Sequence, residues 1–110
     1  MNMEKTARIF VGYFDPIDGI YDIAKPLAYV LQDGYCVYRK VDDRYWEVAD
    51  VKSGIVFLCG NSLREARTVF EKGGKKFFEE WKDTHKEEYE KCCKEMEELR
   101  LEELRKEIEG

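Results

Sequence analysis

The sequence predicts an α+β fold: a small antiparallel sheet of three to four strands packed by helices, with a long acidic C-terminal helix. Three observations carry this. Between Tyr35 and Cys59, three runs rich in β-branched and aromatic residues are separated by short polar turns. From Ser62 onward the apolar residues switch to 3–4 spacing. Charge is also uneven: residues 77–110 hold 7 Lys/Arg against 13 Asp/Glu, whereas residues 1–76 hold 12 against 11.

Taken in order, Ala7–Phe14 reads as a strand and stops at Asp15-Pro16-Ile17-Asp18-Gly19, which is turn chemistry. Ile20, Ile23, Ala24, Leu27, Val30 and Leu31 fit a helical period, with Asp22 as N-cap, Pro26 in the first turn and Gly34 as the stop. A hairpin turning at Asp33-Gly34, between Ala28–Gln32 and Tyr35–Val41, is the rival reading. The six periodic positions favour the helix.

Tyr35–Val41 and Tyr45–Val51 form a hairpin across Asp42-Asp43-Arg44. A turn at Lys52-Ser53-Gly54 then leads into a third strand, Ile55–Cys59. Alternation in the middle strand puts Trp46 and Val48 on one face, with Trp46 as the expected anchor of the sheet. Ser62 and Glu65 make a capping box for a helix that Gly73-Gly74 should end. The final segment opens on Phe77, Phe78 and Trp81. Thr84 with Glu87 forms a second capping box, which predicts a kink near Asp83. Unbroken from Lys75 to Ile108, this helix would be about 51 Å long. A core of this mass is only about 30 Å across. The helix therefore either kinks and packs back or projects toward a partner. The expected organisation is one domain: an α+β core over residues 1–74, with residues 75–110 as its helical segment.

With 110 residues, 44% apolar and 14% aromatic, the chain can bury a modest core despite 39% charged residues. No apolar run reaches the roughly 20 residues that span a bilayer, so no membrane association is expected. The stretch Met1-Asn2-Met3-Glu4-Lys5 lacks the apolar region of a signal peptide, and a cytoplasmic location is the expectation. Cys36, Cys59, Cys92 and Cys93 have neither the spacing of a disulfide framework nor a Cys-x-x-Cys pair, so they read as buried free thiols.

Sites for chemistry are scarce. His85 is the single histidine, so a closed zinc set or a Ser-His or Cys-His pair has little to draw on, and no metal or other cofactor is expected. Cys59-Gly60-Asn61-Ser62 sits at a strand-to-helix junction, but Arg64 replaces the last glycine of a nucleophile elbow. Gly73-Gly74-Lys75-Lys76 follows a helix and lacks phosphate-loop spacing. The chain reads as non-enzymatic.

Two constellations remain. Glu88, Glu95, Glu102 and Glu109 are seven apart and form one stripe, with Glu98 beside it. Such a stripe is either a solvated face, supported by pairs such as Glu87–Lys91, Glu90–Lys94 and Glu102–Lys106, or an acidic surface aimed at a basic groove. On the sheet, Arg39, Lys40, Arg44 and Lys52 could meet phosphate, but Asp42, Asp43, Glu47 and Asp50 are interleaved with them.

Residues 35–72 carry Trp46-Glu47-Val48-Ala49-Asp50-Val51-Lys52-Ser53-Gly54, a strand, and Ser62-x-x-Glu65-Ala66. This run resembles the three-strand-plus-helix DNA-binding domains of integrase arms and plant AP2 proteins. That resemblance implies nucleic-acid binding through the four basic residues. In size, acidity and layout the whole chain is similar to the anti-CRISPR inhibitors of phages and mobile elements. That similarity implies a protein partner with a basic surface, on a host protein that handles nucleic acid. With a net charge of −5, the second implication is the expectation, and nucleic acid is not the expected partner. A coiled-coil adaptor, or a homodimer through the C-terminal helix, is the remaining alternative.

Overall fold

The computed structural model describes residues 6–9, 11–15, 19–24, 27–39 and 44–109. Its main sheet is antiparallel and five-stranded, in the order β1-β4-β5-β6-β7. These strands are β1 (Thr6–Arg8), β4 (Leu27–Val30), β5 (Tyr35–Arg39), β6 (Trp46–Asp50) and β7 (Val56–Gly60). A separate hairpin, β2 (Val11–Asp15) with β3 (Gly19–Ala24), is inserted between the paired strands β1 and β4. The α+β class holds, but the sheet has five strands rather than three to four.

The largest difference is the helix expected over residues 20–34. Ile20 and Ile23 lie in β3, Leu27 and Val30 in β4, and Asp22 sits inside a strand instead of capping a helix. Asp33 and Gly34 both have positive φ, 59° and 85°. That is the backbone of a two-residue hairpin turn, for which Asp-Gly is a favoured pair. The rival hairpin reading is the correct one. β-Branched and aromatic residues at 20, 21, 23, 29 and 30 favour the pleated conformation, and β4 gains strand neighbours on both sides. The single strand expected over residues 7–14 is likewise two: β1 joins β4, while β2 joins β3. Pro16, Ile17, Asp18, Pro26, Lys40, Asp42, Asp43 and the N-terminal five residues lie outside the described residues, with the expectations placed on them.

Both faces of the central strands are buried. On one face Tyr35, Val37 and Val48 pack against Ala66, Phe70 and Phe78. On the other, Ala28, Cys36, Tyr38 and Ala49 form a second cluster with Ile9 and Val51 against it. Tyr35 is the aromatic hub of the first face, edge-on to Phe57, Phe70 and Phe78 at 5.2–6.0 Å between centroids. Trp46 is only half-buried, at the rim, beside Tyr29. It is not the anchor of the sheet, because it pairs with Gly60 and Arg39 at the ends of the two flanking strands.

The first helix, α1 (Leu63–Val69), starts as expected: Ser62 Oγ accepts from Glu65 N–H at 3.0 Å. Glu65 reaches back one residue further than the usual box, accepting from Asn61 N–H at 2.9 Å. The helix ends at Gly73-Gly74 as expected, since Gly73 has non-helical backbone angles (φ 167°, ψ −16°) and the chain kinks there. A wide turn over Phe70–Gly74 redirects the chain into α2 (Lys75–Thr84). The next break falls at His85 (φ −127°, ψ 47°), two residues past Asp83, near which the kink was expected. Thr84 Oγ1 donates back to Trp81 O at 3.0 Å or Glu80 O at 3.2 Å, so it closes α2 and does not cap the next helix. His85 Nδ1 lies 3.0 Å from the same Trp81 carbonyl, with its ring stacked on Trp81. Beyond it runs α3 (Lys86–Glu109), 24 residues and about 36 Å long.

Candidate interaction surface on the C-terminal helix

The fixed point for α3 is a buried carboxylate. Asp50, at the end of β6, is 4% exposed. One of its oxygens accepts from Ser53 Oγ at 2.7 Å, Ser53 N–H at 3.2 Å and the Tyr89 hydroxyl at 2.8 Å. Three donors offset the desolvation that would otherwise expel a charge from such a place. Eleven residues further along α3, the Arg100 guanidinium donates to Val51 O at 2.9 Å. Between these two ties the fully buried Met96 lies over Gly54. Gly54 has φ +75°, and an added Cβ would come within 2.6 Å of the Met96 sulfur. The β6–β7 turn is thus built to receive the helix.

These ties orient the rest of α3. At about 100° per residue, Glu88, Glu95, Glu102 and Glu109 lie about 80–140° to one side of Met96. Glu88, Glu98, Glu102 and Glu109 are exposed, whereas Glu95 is half-buried. Lys106, the expected partner of Glu102, instead meets Glu103 at 3.4 Å. The stripe therefore keeps its negative charge facing solvent. On the other side of Met96, at about the same angle, stand Leu104, Ile108 and Leu101. They are 38%, 85% and 54% exposed. A groove of about 590 Å³ runs along this second flank, lined by Lys52, Cys93, Glu97, Arg100, Leu101 and Leu104 among others. One helix thus offers an acidic flank and an apolar flank pointing in nearly opposite directions. The acidic stripe was legible from the seven-residue spacing. The apolar flank was visible only as a drift of leucines, because its exposure depends on where Tyr89 and Arg100 tie the helix.

The described basic residues of the sheet do not form a single patch. Arg39 and Arg44 are exposed at one end of the sheet, their guanidinium groups over the rings of Trp46 and Tyr45. Lys52 is at the opposite end, past Asp50. The strand between the two ends is about 13 Å long. Lys40 lies outside the described residues. The central strands also have no open face to lay on a duplex, since Tyr38, Glu47 and Ala49 are buried on one side and Val37 and Val48 on the other.

Burial, then the nearby Asp50 carboxylate, pushes the Cys36 thiol up to about 12. Burial likewise raises the Cys92 and Cys93 thiols. These three thiols are held as thiols, the opposite of an activated nucleophile. Of the four cysteines expected to be buried, only Cys36 is; Cys92 and Cys93 are half-buried and Cys59 is exposed. Among the described residues, no group of three His, Cys, Asp or Glu side chains could hold a metal ion, and no helix is long and apolar enough to cross a membrane. No family model, curated protein or solved structure matches the chain.

Proposed function

We propose that this is a non-enzymatic interaction protein. Its acidic α3 flank docks into a basic groove of a nucleic-acid-handling protein, in the manner of the phage and mobile-element inhibitors of the anti-CRISPR kind. The observation that carries this is the exposed set Glu88, Glu98, Glu102 and Glu109, with Lys106 drawn away to Glu103. Carboxylates about 10 Å apart in water repel by only a few tenths of a kcal/mol, and salt screens much of that. The free protein therefore tolerates the stripe. A groove lined with Lys and Arg gathers all four charges, and complementary potentials act first on the rate of association. The apolar end of the same helix supports self-association as a companion property.

The test is capture from a bacterial lysate on immobilised wild-type protein, beside a variant with Glu88, Glu98 and Glu102 changed to lysine. Wild type should retain a basic, nucleic-acid-handling protein that the variant releases, with an association rate that falls as salt rises. Identical captures by the two proteins would refute the role of the stripe.

A further inference from the structure

We propose that a second copy of this chain docks antiparallel along the apolar flank of α3, centred on Leu101. This deepens the reading of α3 as an interaction helix and rests on it only for the helix's exposure. No basic partner is needed, so the two can fail separately.

The flank demands an occupant that brings apolar side chains at helical spacing. Leu101, Leu104 and Ile108 follow a 3–4 pattern and lie past Arg100, which donates to Val51 O. The groove beside them is lined at one end by Glu90, Cys93, Lys94 and Glu97. That quartet has the i, i+3, i+4, i+7 spacing of a hole that accepts one knob from a facing helix. The chain carries a knob of the right kind: Ile108, at 85% exposure, is the most exposed large apolar residue among those described. When two α3 helices run antiparallel with Leu101 facing its own copy, position 108 falls opposite position 94, and Ile108 enters that hole.

Charge fixes the direction. A parallel pair would put Glu90, Lys94 and Glu97 each beside its own copy, like against like. The antiparallel pair centred on Leu101 sets Glu97 opposite Arg105, twice by symmetry, in an isologous contact. Both residues are exposed in the single chain. The three apolar side chains with the flanking aliphatic stems supply on the order of 1,000 Å² across two copies, the lower bound for a specific interface. The dimer is therefore a reversible one. Glu88, Glu102 and Glu109 stay outside it, so a dimer displays two stripes, with Glu98 at the edge of the contact opposite Leu104.

The experiment is sedimentation of the purified protein over a wide concentration range. The mass should rise from that of the 13.1 kDa chain toward twice that value. Leu101→Lys should hold it at the monomer mass. Glu97→Arg and Arg105→Glu should each weaken the dimer at least tenfold, and the double swap should restore it. Circular dichroism checks that each variant is folded, which the exposure of these positions favours. A monomer at every concentration overturns the proposal and leaves the flank to a foreign helix. A dimer indifferent to Leu101→Lys overturns the surface, and a double swap no better than the single changes overturns the antiparallel register.

Discussion

At the scale of single residues, stability is concentrated in a few buried polar and aromatic groups. The Tyr89 hydroxyl joins α3 to the Asp50 carboxylate across 39 positions of sequence. A hydrogen bond to a buried charge contributes about 1.5–3 kcal/mol, so Tyr89→Phe should lower the urea midpoint by a corresponding amount without changing the helix content. The same group gives the protein a pH signature. Burial first, then the bond to Asp50, raises the Tyr89 phenol above its ordinary 10.0. Burial, then Glu79, does the same for Tyr35. Burial raises the Cys36 thiol from 9.0 to about 12. All three are held protonated in the fold and ionise more readily once unfolded. Their contribution is therefore fully present below pH 9 and is lost as pH rises through the folded values. Urea unfolding followed from neutral pH upward should show a level midpoint to about pH 9 and a decline beyond it, and Tyr89→Phe should shallow that decline. A midpoint that rose above pH 9 would contradict the burial of these groups. Trp46 teaches the complementary lesson. Alternation correctly put it on the face of Val48, but position along the strand, which alternation does not encode, left it at the rim.

At the scale of elements, what the sequence made legible was local chemistry, and what it hid was pairing. The Ser62–Glu65 cap, the left-handed Gly54 and the break between α2 and α3 near residue 85 all follow from residues within a turn of one another. Residues 20–34 show the limit. Their apolar positions satisfy a 3.6-residue period, yet Ile20, Ile23 and Val30 are equally good strand formers. The decision lay with β1 and β5, the partners β4 acquires only in the folded sheet. Gly73-Gly74 was legible in the same local way as the cap, since non-helical angles at Gly73 separate α1 from α2. For α3, the acidic stripe could be read directly, whereas the division into a partly buried half and an exposed half could not. Tyr89, Met96 and Arg100 hold the first half, and of residues 101–109 only Glu103 is not exposed. Amide hydrogen exchange should accordingly show strong protection from about Tyr89 to Arg100 and faster exchange in the last two turns, more so in dilute solution. Uniform protection along α3 in a dilute monomer would mean that its end is packed on the chain itself.

At the scale of the whole molecule, fold and charge together argue against the binding of duplex DNA. The resemblance of residues 35–72 to integrase-arm and AP2 domains requires a sheet that enters a groove. Here the central strands are buried on both sides, by Tyr35, Val37 and Val48 on one and Cys36, Tyr38 and Ala49 on the other. Of the four basic residues that would meet phosphate, Arg39 and Arg44 rest on aromatic rings at one end, and Lys52 stands at the other. The net charge of −5 adds a repulsive long-range term. Non-specific DNA binding draws nearly all its free energy from neutralised phosphates, and its dependence on salt reports how many are neutralised. A chain with few phosphate contacts should therefore show neither appreciable affinity nor a salt slope. In a mobility-shift titration with random-sequence duplex at physiological salt, the protein should leave the DNA unretarded up to about 100 μM, weaker than typical non-specific DNA binders. Arg39→Ala and Arg44→Ala should change nothing in that assay. A shift that weakens steeply with added salt and is lost with those two arginines would place the binding surface at the β5–β6 end of the sheet, and α3 would then be the support of that surface instead of the surface itself.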